Sequence, residues 1–267
     1  MNEVLEESNI MEERFIAFLD ILGFTETIRS IESDNSKDNP NLIRIKSILN
    51  FMNEESEDPN YSADLPIYTE TADGLLEKEL GDPRLTYVSD CIIISSEPTL
   101  DGFKGLSRKI HKITSDLAFD GVFCRGAITK GKIFHHGKVL FGTSYIKAYK
   151  LEGKLAKFPR VIIDPDIIEF FDLQEGKMPL APAFYGLDTD GLYYQRYFTW
   201  QMFLPYAYSF HDYLLRVREW IATHLSNYKE TPNIFEKYQW IACEFNSLVE
   251  GWGSLGDIDI EIIEYET

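Results

Sequence analysis

The sequence predicts an α+β fold in which helices cover one sheet. Short apolar runs of strand length alternate with longer segments whose apolar residues recur at helical spacing. Some neighbouring strand runs are separated by so few residues that they must form hairpins, whereas others are joined through helices. This mixture of hairpins and helical crossovers favours α+β over a regular alternation of single strands and helices.

The first 120 residues provide two strand regions and three helices. The segment RFIAFLD (14–20) is a short apolar run with aromatic residues, which is typical of a buried strand. LTYVSDCIIIS (85–95) contains two strand-like runs that meet at Ser89 and Asp90, which predicts a hairpin or a sharp bend. The acidic stretch 56–83 contains three prolines and reads as an insertion or a long loop. Helices are predicted at 21–33, 41–55 and 99–119.

The next 50 residues continue the pattern of strands and helices. The predicted elements are two strands within 123–142, a helix at 144–158, a strand at 160–164 and a short helix from Pro165. Gly131 and Gly137 mark the turns, and Pro159 ends the helix. His135 and His136 are adjacent on one strand, so their side chains point to opposite faces. We expect both histidines at an exposed hairpin tip.

From about residue 174 the chain becomes unusually aromatic and then helical, with helices predicted at 211–228 and 232–250. The alternating segment 257–266 predicts an edge strand. We therefore predict two units, 1–173 and 174–267, the second being an aromatic-rich, mainly helical C-terminal extension. Its aromatic side chains either form an interface with the first domain or a partner subunit, or belong to an ordinary core.

Composition limits the possible functions. The net charge of −18 argues against binding to nucleic acid or to an anionic membrane. No apolar run approaches the roughly 18 residues that a membrane span requires, and the acidic N-terminus lacks an export signal. Cys91, Cys124 and Cys243 have no metal-finger spacing, so we expect reduced core thiols in a cytoplasmic protein.

Positive charge is concentrated in residues 124–160, which carry +8 over 37 residues while the rest of the chain carries −26. Such a segment either binds a small polyanion or is a surface that is solvated or paired with acidic neighbours, and both interpretations stay open. Its basic residues are Arg125, Lys130, Lys132, Lys138, Lys147, Lys150, Lys154, Lys157 and Arg160, against the single acid Glu152.

Two aspartates occupy strand ends in the first half of the chain. Asp20 lies within the apolar segment FIAFLDILGFT, where a buried carboxylate is costly unless its charge is compensated. Asp90 lies between the strand runs TYV and CIIIS. If these strands are neighbours, the two carboxylates meet at one edge and could hold divalent cations around a phosphate. The alternatives are a helix N-cap for Asp20 and a turn aspartate for Asp90.

Four short motifs, in the same order, resemble those of the class III nucleotidyl cyclases. FIAFLDILGFT resembles their first metal-binding strand, and YVSDCIIIS resembles the hairpin that carries the second metal-binding aspartate. CRGAITKG is similar to the next strand, and GTSYIKAYKLEGK resembles the following helix. The resemblance covers about residues 14–172 and implies a cyclase-like sheet of the ferredoxin-like, palm type with helices packed on it. The matching residues are Arg125, Gly131, Gly142, Ala148, Leu151 and Glu152.

Differences from these motifs indicate which class III cyclases the chain resembles more closely. The asparagine of the cyclase helix is replaced by Ile146, its transition-state arginine by Lys150, and the adenine-reading aspartate falls near Val139. Lysine can still neutralise phosphate charge, although as a point charge. The segments 148–152 and 158–164 are closer to the bacterial pyrimidine cyclases of the Pycsar anti-phage systems, which also carry a C-terminal helical extension.

The resemblance implies that UTP or CTP is converted to the 3′,5′-cyclic monophosphate and pyrophosphate with two Mn²⁺ or Mg²⁺ ions. Asp20, Asp90 and the backbone carbonyl of Ile21 would bind the metal ions. Each site would be shared across a homodimer, with Lys150 of one chain facing the aspartates of the other. The residues expected to bind the nucleotide are Phe18, Leu22, Gly23, Phe24, Thr25 and Arg125. Two alternatives stay open, namely a nucleotide-binding module without catalytic activity and a purine cyclase.

Overall fold

The computed structural model describes residues 11–34, 36–57, 68–70, 76–79, 81–171, 184–198, 210–253 and 260–265. These residues form ten strands and seven helices. Eight of the strands belong to one mixed sheet, and the other two form a small sheet of their own. The predicted α+β class is therefore confirmed. Within the described part of the chain, no helix is both long and apolar enough to cross a lipid bilayer.

The large sheet is built around the first strand. In spatial order its strands are β4 (Arg84–Val88), β5 (Cys91–Ser96), β1 (Glu12–Ile21), β6 (Cys124–His136), β8 (Val161–Ile163), β10 (Tyr193–Gln195) and β9 (Tyr185–Leu187). The strand β7 (Val139–Phe141) pairs with the end of β6, and β2 (Tyr68–Glu70) pairs separately with β3 (Leu76–Glu79). All these pairs are antiparallel except β6 with β8.

The helices lie on both faces of the large sheet. They are α1 (Phe24–Ser33), α2 (Pro40–Glu57), α3 (Leu100–Phe119), α4 (Thr143–Leu155), α5 (Pro165–Phe170), α6 (Phe210–Asn227) and α7 (Pro232–Gly253). Helices α2, α3 and α5 share one apolar core with the sheet, whereas α4 packs on the opposite face. Helices α6 and α7 form a further core with the segments that flank α3 and β10.

Strand β1 is apolar throughout because both of its faces are covered. Phe15, Ala17 and Leu19 point into the core formed with α2 and α3, while Ile16 and Phe18 point toward α4. All five side chains are almost completely buried. A fully buried side chain of this kind contributes roughly 1.5–3 kcal/mol of hydrophobic stabilisation, so this run favours an interior position for β1, which lies between β5 and β6.

Three details of the expected secondary structure are wrong. The stretch 56–83 contains the strands β2 and β3, so the interpretation as a long loop is wrong, whereas the alternative of an insertion stays a prediction. Gly131 is not a turn, because β6 continues through it to His136 and Gly131 pairs with Arg14 of β1. The edge strand predicted at 257–266 is absent from the described residues 260–265.

The two adjacent histidines differ in their surroundings. His136 is exposed as expected, but His135 is only 2% exposed. Its Nδ1 lies 2.8 Å from the hydroxyl of Ser95, and its Nε2 lies 2.9 Å from the hydroxyl of Thr86. The hairpin tip prediction is therefore wrong for His135, because β6 folds back beside the edge hairpin and buries this side chain under polar partners.

The three cysteines are all free thiols, as predicted. Cys124 is buried, whereas Cys91 is half-buried and Cys243 is exposed, so the expectation of core thiols is wrong for Cys243. Because Cys243 lies on α7, its exposure follows from facing outward from the helical core.

The chain after residue 173 contributes both strands and helices. Strands β9 and β10 extend the large sheet, and the backbone N–H of Cys124 donates a hydrogen bond of 2.7 Å to the Tyr197 hydroxyl. Several of its aromatic residues, including Tyr194, Tyr213 and Phe245, are buried, in agreement with an ordinary core. The aromatic stretch at 199–209 lies outside the described residues. The division into units at residues 173 and 174 stays a prediction.

Candidate functional site

Asp20 stands at the end of β1 on the face that α4 covers. Side chains alternate along a strand, so Asp20 shares the face of Phe18. The residues directly opposite it are Cys91 on β5 and Arg125 on β6. Because directly paired residues of antiparallel strands point to the same face, both side chains flank Asp20. The carboxylate is partly buried between them.

Asp90 lies in the tight turn between β4 and β5. Val88 pairs with Cys91, so Ser89 and Asp90 are the two residues of the turn. Ser89 adopts a φ of 57°, a left-handed conformation that non-glycine residues rarely adopt. The backbone N–H of Ile21 donates a hydrogen bond of 3.1 Å to the Asp90 carbonyl. This bond ties the turn to the end of β1.

These elements bring the two predicted aspartates together. One carboxylate oxygen of Asp20, one of Asp90 and the sulfur of Cys91 all lie within 4.8 Å of one another. Strands β1 and β5 are neighbours, as the argument from sequence required. The N-cap alternative for Asp20 is wrong, because α1 begins at Phe24 and its N-cap is Gly23. The alternative that Asp90 is a turn residue is correct. A carboxylate in this turn can still bind a metal ion together with Asp20.

A positive side chain already compensates part of the charge of Asp20. The Nε of Arg125 lies 3.0 Å from Oδ2 of Asp20 and 2.7 Å from Oε1 of Glu152 on α4. The Arg125 side chain is 27% exposed and that of Glu152 only 4%. Arg125 therefore acts as a cation between two carboxylates, which is the role of a structural arginine on a strand.

The surroundings shift the pKa values of three neighbouring groups upward. Burial raises the pKa of Asp20, an effect that Arg125 opposes and the charge of Asp90 reinforces. Burial also raises the pKa of Glu152, again with opposition from Arg125. The pKa of the Cys91 thiol rises to about 12, chiefly through burial and then through the charges of Asp90 and Asp20. Cys91 is therefore a neutral thiol at pH 7, and a cation placed beside Asp20 would stabilise the ionised form of its carboxyl group.

The donor set fits a hard divalent cation better than it fits a soft one. Two carboxylates supply the charged oxygen ligands that Mg²⁺ and Mn²⁺ prefer. Two carboxylates this close repel each other when both are ionised, and a cation between them removes that cost. Asp20 uses only Oδ2 toward Arg125, so its other oxygen has no contact with that guanidinium. The backbone carbonyl of Ile21 stays a predicted ligand.

Lys150 does not take part in the ion pairs that join Asp20, Arg125 and Glu152. It is exposed on α4, and no ion pair among the described residues includes it. Together with neighbouring turns of α4 it forms an open groove of about 520 Å³. The residues that line this groove are Thr143, Ile146, Lys147, Lys150, Leu151, Lys154 and Leu155. Lys150 thus faces outward, toward solvent or toward another molecule.

The predicted nucleotide-binding residues occupy two different places. Phe18 is 1% exposed and lies under α4, with its ring 5.5 Å from that of Tyr149. Leu22, Gly23, Phe24 and Thr25 form the turn into α1, where Gly23 has a φ of 74°. The first N–H groups of a helix have no partner within the helix, so this turn offers donors to an anion.

The basic segment is partly neutralised by acidic neighbours. Arg125 pairs with Asp20 and Glu152, and Lys130 lies 2.6 Å from Glu13. Lys147 pairs with Asp164 and Asp166, and the fully buried Arg160 pairs with Asp188 and Asp190. Four of its nine basic residues therefore serve ion pairs, so the alternative of acidic pairing is correct for these four.

Two residues of the site were not identified from the sequence as functional. Cys91 was expected to be a core thiol, although its position directly after Asp90 is the signal that places it beside the carboxylates. Glu152 was recognised only as part of a motif, and its pairing with Arg125 needs the packing of α4 against β6. A single sequence does not contain that contact.

The chain was compared with protein-family models and with curated proteins, and neither comparison gives a match. The resemblance to class III cyclases therefore depends on the four sequence motifs.

Proposed function

We propose that the protein is a pyrimidine nucleotide cyclase that converts UTP or CTP to the 3′,5′-cyclic monophosphate and pyrophosphate. The observation that carries the proposal is the approach of the Asp20 and Asp90 carboxylates at one edge of the sheet. The strand order supports it, because β4, β5, β1 and β6 are arranged as in a ferredoxin-like motif, with β1 between β5 and β6.

The cofactor implied by the proposal is a pair of Mn²⁺ or Mg²⁺ ions held by Asp20 and Asp90. When bound, such ions lower the pKa of a coordinated hydroxyl and neutralise charge on the triphosphate. Asp20 and Asp90 hold this position with fixed geometry, because the Ile21 N–H anchors the hairpin turn to β1. Fixed ligands of this kind reduce the reorganisation that the reaction requires.

The remaining side chains would bind and orient the triphosphate. The backbone N–H groups of Gly23, Phe24 and Thr25 open α1 and suit phosphate oxygens. The Leu22 N–H was also expected to do so, but it already donates a hydrogen bond of 2.9 Å to the Phe123 carbonyl. Arg125 keeps Asp20 in position through Nε, while the rest of its guanidinium is partly exposed and can face the substrate. Lys150 would act from a second copy of the chain, because it faces outward from α4. By the same resemblance, the protein would be a cytoplasmic homodimer that synthesises a second messenger in anti-phage defence.

One observation favours a second candidate, a nucleotide-binding module without turnover. Asp20 already has a cation partner in Arg125, and Lys150 stands where the cyclase motif has arginine. A site of this kind could hold a nucleotide without stabilising the charge that develops in the transition state.

The test is incubation of the purified chain with Mn²⁺ and each of the four ribonucleoside triphosphates, with products separated by chromatography. We expect cyclic UMP or cyclic CMP from the natural chain. Asp20→Asn should fold normally and lose turnover by at least about 100-fold, since even residues that only support metal ligands cost 10–100-fold. Glu13→Gln is the matched control, because Glu13 also lies on β1 and pairs with a basic residue of β6.

The outcomes separate the candidates. Turnover by Glu13→Gln that equals the natural rate, with loss in Asp20→Asn, supports the metal role of Asp20. Cyclic AMP as the main product would contradict the pyrimidine substrate. If none of the four nucleotides gives pyrophosphate, the cyclase proposal is wrong and the nucleotide-binding module without turnover is the remaining candidate.

A further inference from the structure

A second cavity, of about 240 Å³, lies where the first helices meet the C-terminal helices. Its wall includes the turn into α1, one side of α2, the short segment after α3, and side chains of α6 and α7. The residues used below are Ser30, Arg44, Gly121, His224, Tyr228 and Tyr238. The cavity therefore lies between parts of the chain that are far apart in sequence.

This cavity lies apart from the Asp20 and Asp90 carboxylates, but its wall includes Leu22, Gly23 and Phe24 of the turn that the proposed function assigns to the phosphates. Ile21 lines it together with Ile45 and Ile48, which belong to the core between the sheet and α2. Asp20 precedes Ile21 on the same strand, so its side chain points to the opposite face of the sheet. A ligand in the cavity would lie behind the candidate metal site.

Arg44 brings a cation to the cavity wall, and one donor of its guanidinium makes no hydrogen bond in the described part of the chain. One terminal nitrogen of its guanidinium donates to the backbone carbonyl of Asp120, and the group stacks 5.1 Å above the ring of Trp220. Its Nε is buried and has no hydrogen-bond partner among the residues that the structure describes. A buried donor without a partner is unfavourable, so its presence needs an explanation.

His224 lines the same cavity, and its ring has an acceptor that receives no hydrogen bond in the described part of the chain. Its Nε2 lies 2.9 Å from the carbonyl oxygen of Gly121, which can only accept. Nε2 therefore carries the hydrogen, and Nδ1 of the neutral ring is an acceptor. Burial lowers the pKa of His224, and the Arg44 charge adds to this effect, so the ring is neutral at pH 7. Nδ1 is buried and, within the described part of the chain, receives no hydrogen bond.

The aromatic side chains of the wall are parallel to one another. The rings of His224 and Tyr238 lie 4.5 Å apart at an angle of 10°, and those of Tyr228 and Tyr238 lie 5.6 Å apart at 7°. Such a wall favours a flat ring that continues the stacking. The volume is below the roughly 300–1,000 Å³ of sites for drug-sized ligands, so one ring with a small substituent fits best.

We propose that this cavity is a binding site for a single planar heteroaromatic ring that carries an anionic oxygen and a ring N–H. The anionic oxygen accepts from Nε of Arg44, and the ring N–H donates to Nδ1 of His224. The ring itself stacks against the wall of Tyr228 and Tyr238. This assignment gives a partner to both groups and does not depend on the chain having cyclase activity.

The test is isothermal titration of the full chain, without metal ions, using orotate, uracil and inorganic phosphate as separate probes. Orotate carries the ring, the N–H and the anion, uracil lacks the anion, and phosphate lacks the ring. We expect one orotate per chain, bound more tightly than uracil or phosphate. Arg44→Gln should weaken orotate binding about 10–100-fold, the usual effect of losing a hydrogen bond to a charged group.

Arg216→Gln is the matched control. Arg216 also bonds to the end of α3, through the carbonyl of Phe119, and stacks 4.2 Å above that ring, but it does not line the cavity. Its replacement should leave orotate binding unchanged. Ser30→Phe provides a second test that keeps Arg44 intact, because the added ring fills the cavity from α1 and should abolish binding.

Four results would overturn the proposal: no saturable binding of orotate, equal binding by Arg44→Gln, phosphate binding as tightly as orotate, or displacement of orotate by UTP with Mn²⁺. The last result would make the cavity part of the substrate site. Because the titration needs no turnover, failure of the cyclase proposal would leave this test unaffected.

Discussion

At the scale of single residues, an acid can be buried beside a cation, whereas a histidine can be buried as a neutral ring. Asp20 is held beside Arg125, and Arg125 is in turn shared with Glu152. His135 follows the opposite course, since it is buried as a neutral ring between two hydroxyl groups. The pKa of His135 falls to about 3, mainly through burial and further through the charges of Arg14 and Arg84.

The buried His135 should make the protein less stable in acid. An unfolded histidine binds a proton near pH 6.5, whereas the folded one binds it only near pH 3. The unfolded state therefore binds more protons between these values, and the free energy of unfolding falls as the pH is lowered through this window. Between pH 7.5 and pH 5 this one group should cost about 2 kcal/mol.

Urea unfolding at pH 7.5 and pH 5 measures this loss. In His135→Gln the difference in unfolding free energy between the two pH values should be smaller than in the natural chain. His136→Gln, which changes the exposed neighbour, should leave the difference as it is. A natural chain and His135→Gln with equal acid sensitivity would show that His135 is not the buried neutral group.

At the scale of elements, the start of α3 shows how closely the chain packs. The Thr99 hydroxyl accepts from the Gly102 N–H at 3.0 Å, which caps the helix. A Cβ built on Gly102 would lie 1.9 Å from the carbonyl oxygen of Glu97. The backbone before the helix therefore requires glycine at this position.

Two alanine substitutions in helices should have opposite effects. Gly102→Ala forces the backbone at Glu97 to move and should lower the free energy of unfolding by about 1–3 kcal/mol, the usual cost of overpacking. Gly153→Ala on α4 meets no atom within 4 Å and should raise it by about 0.5–1 kcal/mol through helix propensity. Urea unfolding at pH 7.5 measures both changes. Equal stability of the two variants would contradict the close approach at Gly102.

At the scale of the whole molecule, Lys150 belongs to an exposed surface on the outer side of α4. The Asp20 cluster occupies the face of the sheet that α4 covers, and the outer side of α4 exposes Ile146 and Tyr149 beside Lys150. An outward lysine next to exposed apolar side chains suits contact with a second copy of the chain.

Mixing two inactive variants tests whether the site is shared. In a symmetric dimer, Asp20→Ala and Lys150→Ala chains each lack one half of the site. An equal mixture should recover about a quarter of the natural activity, because half of the dimers are mixed and each mixed dimer has one intact site. Each variant alone and a mixture of Asp20→Ala with Asp90→Ala are the controls. No recovery in the first mixture would contradict the shared site or the role of Lys150.

The sequence by itself determined the α+β class, the central apolar strand β1, and the hairpin that carries Asp90. These features depend on local periodicity and turn residues, which act over a few positions. Tertiary structure alone decided which groups meet. Asp20 and Arg125 are 105 positions apart, and the cavity joins Arg44 to His224 from opposite ends of the chain. Periodicity gives the face of an element but not its partner across the core, so burial of His135 and of the Arg44 Nε follows only from the packed fold.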